Sequence, residues 1–128
     1  MRLQTEAKLY VQEMIRSGSI SLIWSAVMDM ENTANPDSNR KAAIGEWKEI
    51  GLVDVTVSNQ VENIAVKLAQ IGIKPMDSLH VACAIEAKAE YFLTTDKALL
   101  RKMAKHDTLH VVDPVDFILV LEEKKNED

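Results

Sequence analysis

Residues 73–96, IKPMDSLHVACAIEAKAEYFLTTD, constrain this chain more than any other stretch. They read as a turn, a helix and a strand, with a carboxylate at each end. Pro75 suits the first helical position, where a backbone N–H would have no intrahelical partner anyway. Asp77 falls in the first turn, where the helix dipole favours negative charge. Leu79, Val81, Ala82, Cys83, Ala84, Ile85 and Ala87 are small and apolar on most sides, which predicts a buried helix that lets its neighbours come close. Tyr91-Phe92-Leu93-Thr94-Thr95 follows after almost no loop. It is short, aromatic and β-branched, and so reads as a strand. Asp96 stands at its carboxyl end, where open α/β sheets bind ligands. Each acid also has a plain reading: Asp77 complements the helix dipole, and Asp96 caps the next helix.

The remaining elements follow from periodicity and punctuation. Leu3, Ala7, Tyr10, Val11, Met14 and Ile15 recur at helical spacing over residues 2–17, and Gly18 stops that helix. Residues 20–24 form a short apolar strand, and Ser25 caps a helix over 26–33 that carries Asp29 and Glu31. Asn35 reads as the cap and Pro36 as the first residue of the next helix, which runs through Ile44 and Trp47 to Ile50 and ends at Gly51. Gly45 inside it costs about 1 kcal/mol relative to alanine, which tight packing would explain. Residues 52–57, LVDVTV, are the second strand. Asn59 and Glu62 stand at capping-box spacing before a helix with Val61, Ile64, Ala65, Leu68 and Ala69 on its apolar face, closed by Gly72.

After Asp96, residues 97–105 read as a helix with Leu99, Leu100 and Met103 inward. Its Lys97, Arg101 and Lys105 form a basic stripe, read as a solvated face with a phosphate-contacting edge as the alternative. Residues 109–112 are the last strand, Asp113-Pro114 breaks it, and residues 115–122 form a final helix. Strands alternating with helices predict an α/β fold whose parallel sheet of about four strands is flanked by helices on both faces.

Composition narrows the class. The 128 residues suit one domain, and 47% hydrophobic residues exclude disorder. With 5% aromatics, the core must be aliphatic. The single cysteine, Cys83, cannot form an internal disulfide and reads as a buried structural thiol. The chain opens on no signal-peptide pattern and has no apolar run long enough to span a bilayer, so we expect a cytoplasmic protein without membrane association. A net charge of −5 argues against gripping nucleic acid by bulk electrostatics. It is compatible with a nuclease, because an acidic metal site carries negative charge that its cation offsets.

Three pieces occur in order at consistent distances: Gly72 to Ala82 (GIKPMDSLHVA), Tyr91 to Asp96 (YFLTTD) and Val111 to Phe117 (VVDPVDF). Upstream, Leu22-Ile23-Trp24-Ser25 is followed by Glu31 and Asn35-Pro36. On these pieces the chain resembles the PIN domain family over nearly its whole length. The resemblance implies a three-layer α/β domain over residues 1–123 with a charged tail at 124–128. It implies a Mg²⁺- or Mn²⁺-dependent ribonuclease, often the toxin of a toxin–antitoxin pair. By position, Glu31, Asp77 and Asp96 become the catalytic and metal-holding acids, with Asp29, Thr94 and Thr95 as helpers that orient carboxylates or water. Oxygen donors of this kind suit hard cations, and Mg²⁺ needs one or two carboxylates beside its waters. The implied partners are RNA, an antitoxin protein and a second copy of the chain. His80 reads as hydrogen-bonded within its helix, and His106 and His110 as surface residues.

The chain departs from the family at its start. A PIN domain opens with a strand ending in the first acid; here Met1 leads directly into the first helix, and no nearby acid replaces the missing one by position. In the family that strand lies between those matching residues 20–24 and 91–95. Its absence predicts that these two strands close the gap, that another chain covers it, or that the natural start lies upstream. It also raises a second reading: a PIN-like remnant that binds an antitoxin or itself without cutting RNA.

Overall fold

Every helix from residue 26 onward starts where a short polar side chain, a proline or both meet the end of an extended segment. The computed structural model describes residues 2–107 and 109–127, with the backbone alone for residues 2, 126 and 127. The elements are α1 (Arg2–Arg16), β1 (Ile23–Ser25), α2 (Ala26–Thr33), α3 (Ser38–Ile50), β2 (Val53–Val55), α4 (Asn59–Gln70), α5 (Pro75–Glu86), β3 (Tyr91–Leu93), α6 (Lys97–Lys102), β4 (His110–Val112) and α7 (Pro114–Glu127). The chain is thus a mixed α/β protein. It divides into two compact units, Ser21–Ala89 and residues 1–20 with 90–128.

The strands are shorter than sequence periodicity predicts, for local reasons. Residues 19 and 20 are drawn back to the end of α1, where Ser19 N–H and Ile20 N–H both donate to the Met14 carbonyl around Gly18 at φ 84°. β1 ends at Ser25 because Ser25 turns into the N-cap of α2, its hydroxyl accepting from Met28 N–H at 3.3 Å. β2, paired in parallel from Ile23↔Val53 to Ser25↔Val55, then has nothing left to pair with, so residues 56 and 57 are not strand. β4 stops where Asp113 accepts from Asp116 N–H at 2.8 Å and starts α7.

β1 pairs only with β2, and β3 only with β4, in two parallel two-stranded sheets. The described residues thus form one two-stranded sheet in each unit, and the expected single sheet of about four strands is not shown among them. Each β-unit instead gains its stability from the helices of its own unit, as a pair of strands cannot stand alone in water.

In the Ser21–Ala89 unit, α5 is the central element. Ser78, Val81, Ala82, Cys83 and Ala84 are all buried, and α5 packs against α4, α2 and β1. Val61, Ala65 and Leu68 of α4 face it, with Trp24, Val27, Val55 and Ile73 completing the core. The Ser78 hydroxyl donates to the Ile73 carbonyl at 3.2 Å, which satisfies a buried polar group at the helix start. Gly51 stands where α3 gives way to β2, and a Cβ there would crowd Trp24 Cβ at 3.2 Å and the Lys48 carbonyl at 3.3 Å. Gly45 is different: its nearest neighbour would be Asn32 Nδ2 at 3.9 Å, so tight packing does not explain it.

Several boundaries depart from expectation. The N-cap of α3 is Asp37, not Asn35, and Pro36 lies outside the helix; the Asp37 carboxylate accepts from Arg40 N–H at 3.1 Å, while Asn35 Oδ1 accepts from Asp37 N–H in a preceding turn. The N-cap of α4 is Ser58, whose hydroxyl accepts from Val61 N–H at 3.2 Å, so Asn59 and Glu62 form no capping box. α6 ends at Lys102, which leaves Lys105 off the helix and cuts the basic stripe short.

In the other unit, Ala7 and Val11 of α1 are buried with Leu99, Met103, Leu109, Val111 and Phe117. α1 and α7 pack together. Leu3 and Tyr10, expected inward, are exposed. The Tyr91 ring meets Phe117 edge-on at 5.0 Å, and Lys124 Nζ stands 5.3 Å from its centre. α7 accordingly extends to Glu127, through residues read as a charged tail; residue 128 lies outside the described residues.

Candidate functional site

Glu31 and Asp77 belong to the Ser21–Ala89 unit, and Asp96 to the other. Glu31 lies near the end of α2 with an exposed side chain. Its Oε1 is paired with Nε2 of His80, a residue 49 positions away on α5. His80 therefore does not bond within its own helix. It lies one turn beyond Asp77, and residues three apart share a helix face. Asp77, half-buried in the first turn of α5, has no side-chain hydrogen bond or ion pair among the described residues. The fold thus holds the Glu31 carboxylate against α5 at His80, one turn beyond Asp77. Within neither unit do three or more His, Cys, Asp or Glu side chains gather as a metal-holding cluster among the described residues.

Asp29 is occupied elsewhere. Oδ1 accepts from Trp24 Nε1 and Oδ2 from Lys48 Nζ, each at 3.0 Å. The Lys48 bond, reinforced by the indole N–H, holds the Asp29 carboxyl below its ordinary pKa, and the same bond raises Lys48 above its own. This Trp24–Asp29–Lys48 bridge ties β1, α2 and α3 together, so Asp29 serves structure here. Nothing in the linear pattern marked it, because its partners are five residues before and nineteen after.

Asp96 is the N-cap of α6. Its Oδ1 accepts from Ala98 N–H at 2.9 Å and Leu99 N–H at 3.2 Å. Thr94 Oγ1 accepts from Asp96 N–H at 3.1 Å, which fixes the backbone entering the cap, while Thr95 is exposed. Asp96→Ala is expected to cost about 1 kcal/mol, and Asp96→Asn a few tenths, because asparagine caps as well as aspartate. Urea midpoints of the two variants check this. The asparagine variant then separates capping from any duty that depends on charge.

His106 is half-buried and its Nδ1 accepts from Leu109 N–H at 3.2 Å, so it organises the loop before β4 instead of lying free on the surface. His110 is exposed, its ring 5.5 Å from that of Tyr91 and tilted 34° to it.

Two open clefts accompany these residues. In the Ser21–Ala89 unit, a cleft of about 590 Å³ is walled by α2, α3 and the turn between them and includes Glu31. In the other unit, one of about 380 Å³ lies at the carboxyl end of β3, between Thr94-Thr95 and Lys8, Val11 and Gln12 of α1. Among the described residues no helix is long and apolar enough to cross a membrane. No protein-family model, curated protein or solved structure matches the chain.

Proposed function

We propose that this chain is a PIN-like ribonuclease dependent on Mg²⁺ or Mn²⁺, of the toxin–antitoxin kind, with Glu31 and Asp77 as its principal acids. One observation carries the reading: His80 holds Glu31 against α5 one turn beyond the unpaired, half-buried Asp77. Two carboxylates meet the minimum that Mg²⁺ asks of a protein, since the ion keeps most of its waters. A divalent cation, when bound, supplies positive charge to the scissile phosphate and to an attacking water. Asp77 is the direct oxygen donor in this reading. Glu31 adds a second donor, and His80 is a positioning residue that orients it. Asp96 has the same chemical type, and the resemblance assigns it to the same chemistry.

A second reading is favoured by a specific observation: Glu31 is already paired, and neither unit gathers three such side chains. A PIN-like module that binds an antitoxin or its own copy, without cutting RNA, needs no metal.

Calorimetric titration of the intact chain with MnCl₂ decides between them. The ribonuclease reading expects one saturable site, weakened at least about tenfold, 1.4 kcal/mol, in Asp77→Asn. It also expects Mn²⁺-dependent cleavage of a labelled single-stranded RNA that the same variant loses. Absence of Mn²⁺ uptake by the parent chain overturns it in favour of the binding module.

A further inference from the structure

The cleft beside Glu31 has a feature that metal chemistry does not use. Arg40, on the first turns of α3, lines it, and the guanidinium has no hydrogen bond or ion pair among the described residues. Met28, Ile44 and Trp24 supply its apolar lining. Asn35 stands at the rim. Its Oδ1 is committed to Asp37 N–H at 3.1 Å, which leaves the amide NH₂ to donate. A second amide in the wall, Asn32, has its Oδ1 buried without a donor.

The cleft is also preformed. Asn32 Nδ2 donates to the Lys41 carbonyl at 3.0 Å, and Lys41 Nζ donates to the Thr33 carbonyl at 3.3 Å. These bonds, with the Asp37 cap, fix the α2–α3 corner, so little ordering remains when a ligand enters. About 590 Å³ lies within the range of small-molecule sites, roughly 300–1,000 Å³. Guanidinium binds phosphate through paired donors, and apolar side chains with an amide in the same cleft offer a nucleobase a contact face and a hydrogen bond to its edge. A cation left unpaired beside such a surface favours an anionic ligand there, even on a chain of net charge −5.

We infer that this cleft seats one nucleotide of a single-stranded RNA, its phosphate on Arg40 and its base against Met28 and Ile44 with Asn35 at the base edge. The inference rests on the ribonuclease reading for its purpose, since it places the neighbouring phosphate beside Glu31. Its physical content is independent of any metal.

The test is a titration of the intact chain, in EDTA, with the four nucleoside 5′-monophosphates and with inorganic phosphate, followed by backbone amide NMR. Nucleotides are expected to shift amides across residues 28–44, and at least one to bind ten times or more tighter than inorganic phosphate. Arg40→Met, at an exposed position and with similar helix propensity, is expected to weaken that binding at least tenfold. Nucleotide binding that survives Arg40→Met, or phosphate binding as tight as any nucleotide, overturns the inference. Mn²⁺ uptake without nucleotide binding overturns it while the ribonuclease reading stands. Nucleotide binding without Mn²⁺ uptake supports it while that reading fails.

Discussion

Val81→Asp is expected to unfold the Ser21–Ala89 unit at neutral pH. Val81 is 0% exposed in the middle of α5, which packs against α4, α2 and β1. A carboxylate there has no cation to meet and no water to reach. An uncompensated buried charge costs several kcal/mol, set against a total stability of about 5–15 kcal/mol for a typical domain. The group would escape by staying protonated, so its folded-state pKa is raised. The sign follows: the folded state suffers least below about pH 4, near the unfolded pKa, and the penalty grows as pH rises above it until it is complete beyond the raised folded-state pKa. Val81→Ala is the control. It removes apolar volume without charge and is expected to cost about 1–3 kcal/mol. Far-UV circular dichroism with urea titration reads both. A parental midpoint in Val81→Asp would show that α5 is not the centre of its unit.

That centrality was legible in the sequence. A run of small residues behind Pro75, apolar on most sides, reads as a buried helix, and α5 starts at Pro75 as read. Gly18 and Gly72 likewise stand at positive φ just beyond their helices. The end of α5 was less legible, because no glycine marks it. Lys88 takes the left-handed conformation at φ 59° instead, and Lys88 and Ala89 N–H close back on Ile85 and Ala84 carbonyls. The caps of α3 and α4 lie one or two residues from where the linear pattern puts them, because neighbouring polar residues compete for one role and local geometry selects between Asn35 and Asp37, or Ser58 and Asn59.

The candidate site was legible as residue types and not as partnerships. Linear spacing places Asp77 in a first turn and Asp96 before a helix, and both are there. It carries no signal that His80 reaches Glu31, or that Trp24 and Lys48 claim Asp29, since these pairs span up to 49 residues. It also carries no pairing information for three-residue strands. Four apolar runs were correctly located, but their division into two sheets depends on which backbone edges meet.

Cys83 offers a second strong test, because it reports on opening of the same unit. The thiol is 2% exposed in α5, and burial pushes its pKa up, against a smaller opposing pull from the Ser25 hydroxyl. The native thiol is therefore both hidden and protonated, and the thiolate is the reactive form. An aromatic disulfide reagent at pH 8 is expected to label the native chain at least about 10³-fold more slowly than the urea-unfolded chain, since an opening free energy of about 4 kcal/mol suffices for that. Ser25→Ala then distinguishes the route. The substitution removes the hydroxyl's pull on the thiol, which would slow any direct attack. It also removes the N-cap of α2, worth about 1 kcal/mol, which makes opening easier. In the open state the native pKa no longer matters, so labelling is expected to accelerate about fivefold. Slower labelling in Ser25→Ala, or native labelling within tenfold of the unfolded rate, would mean that the thiol is reached in the closed state and that the packing around α5 is looser than its burial implies.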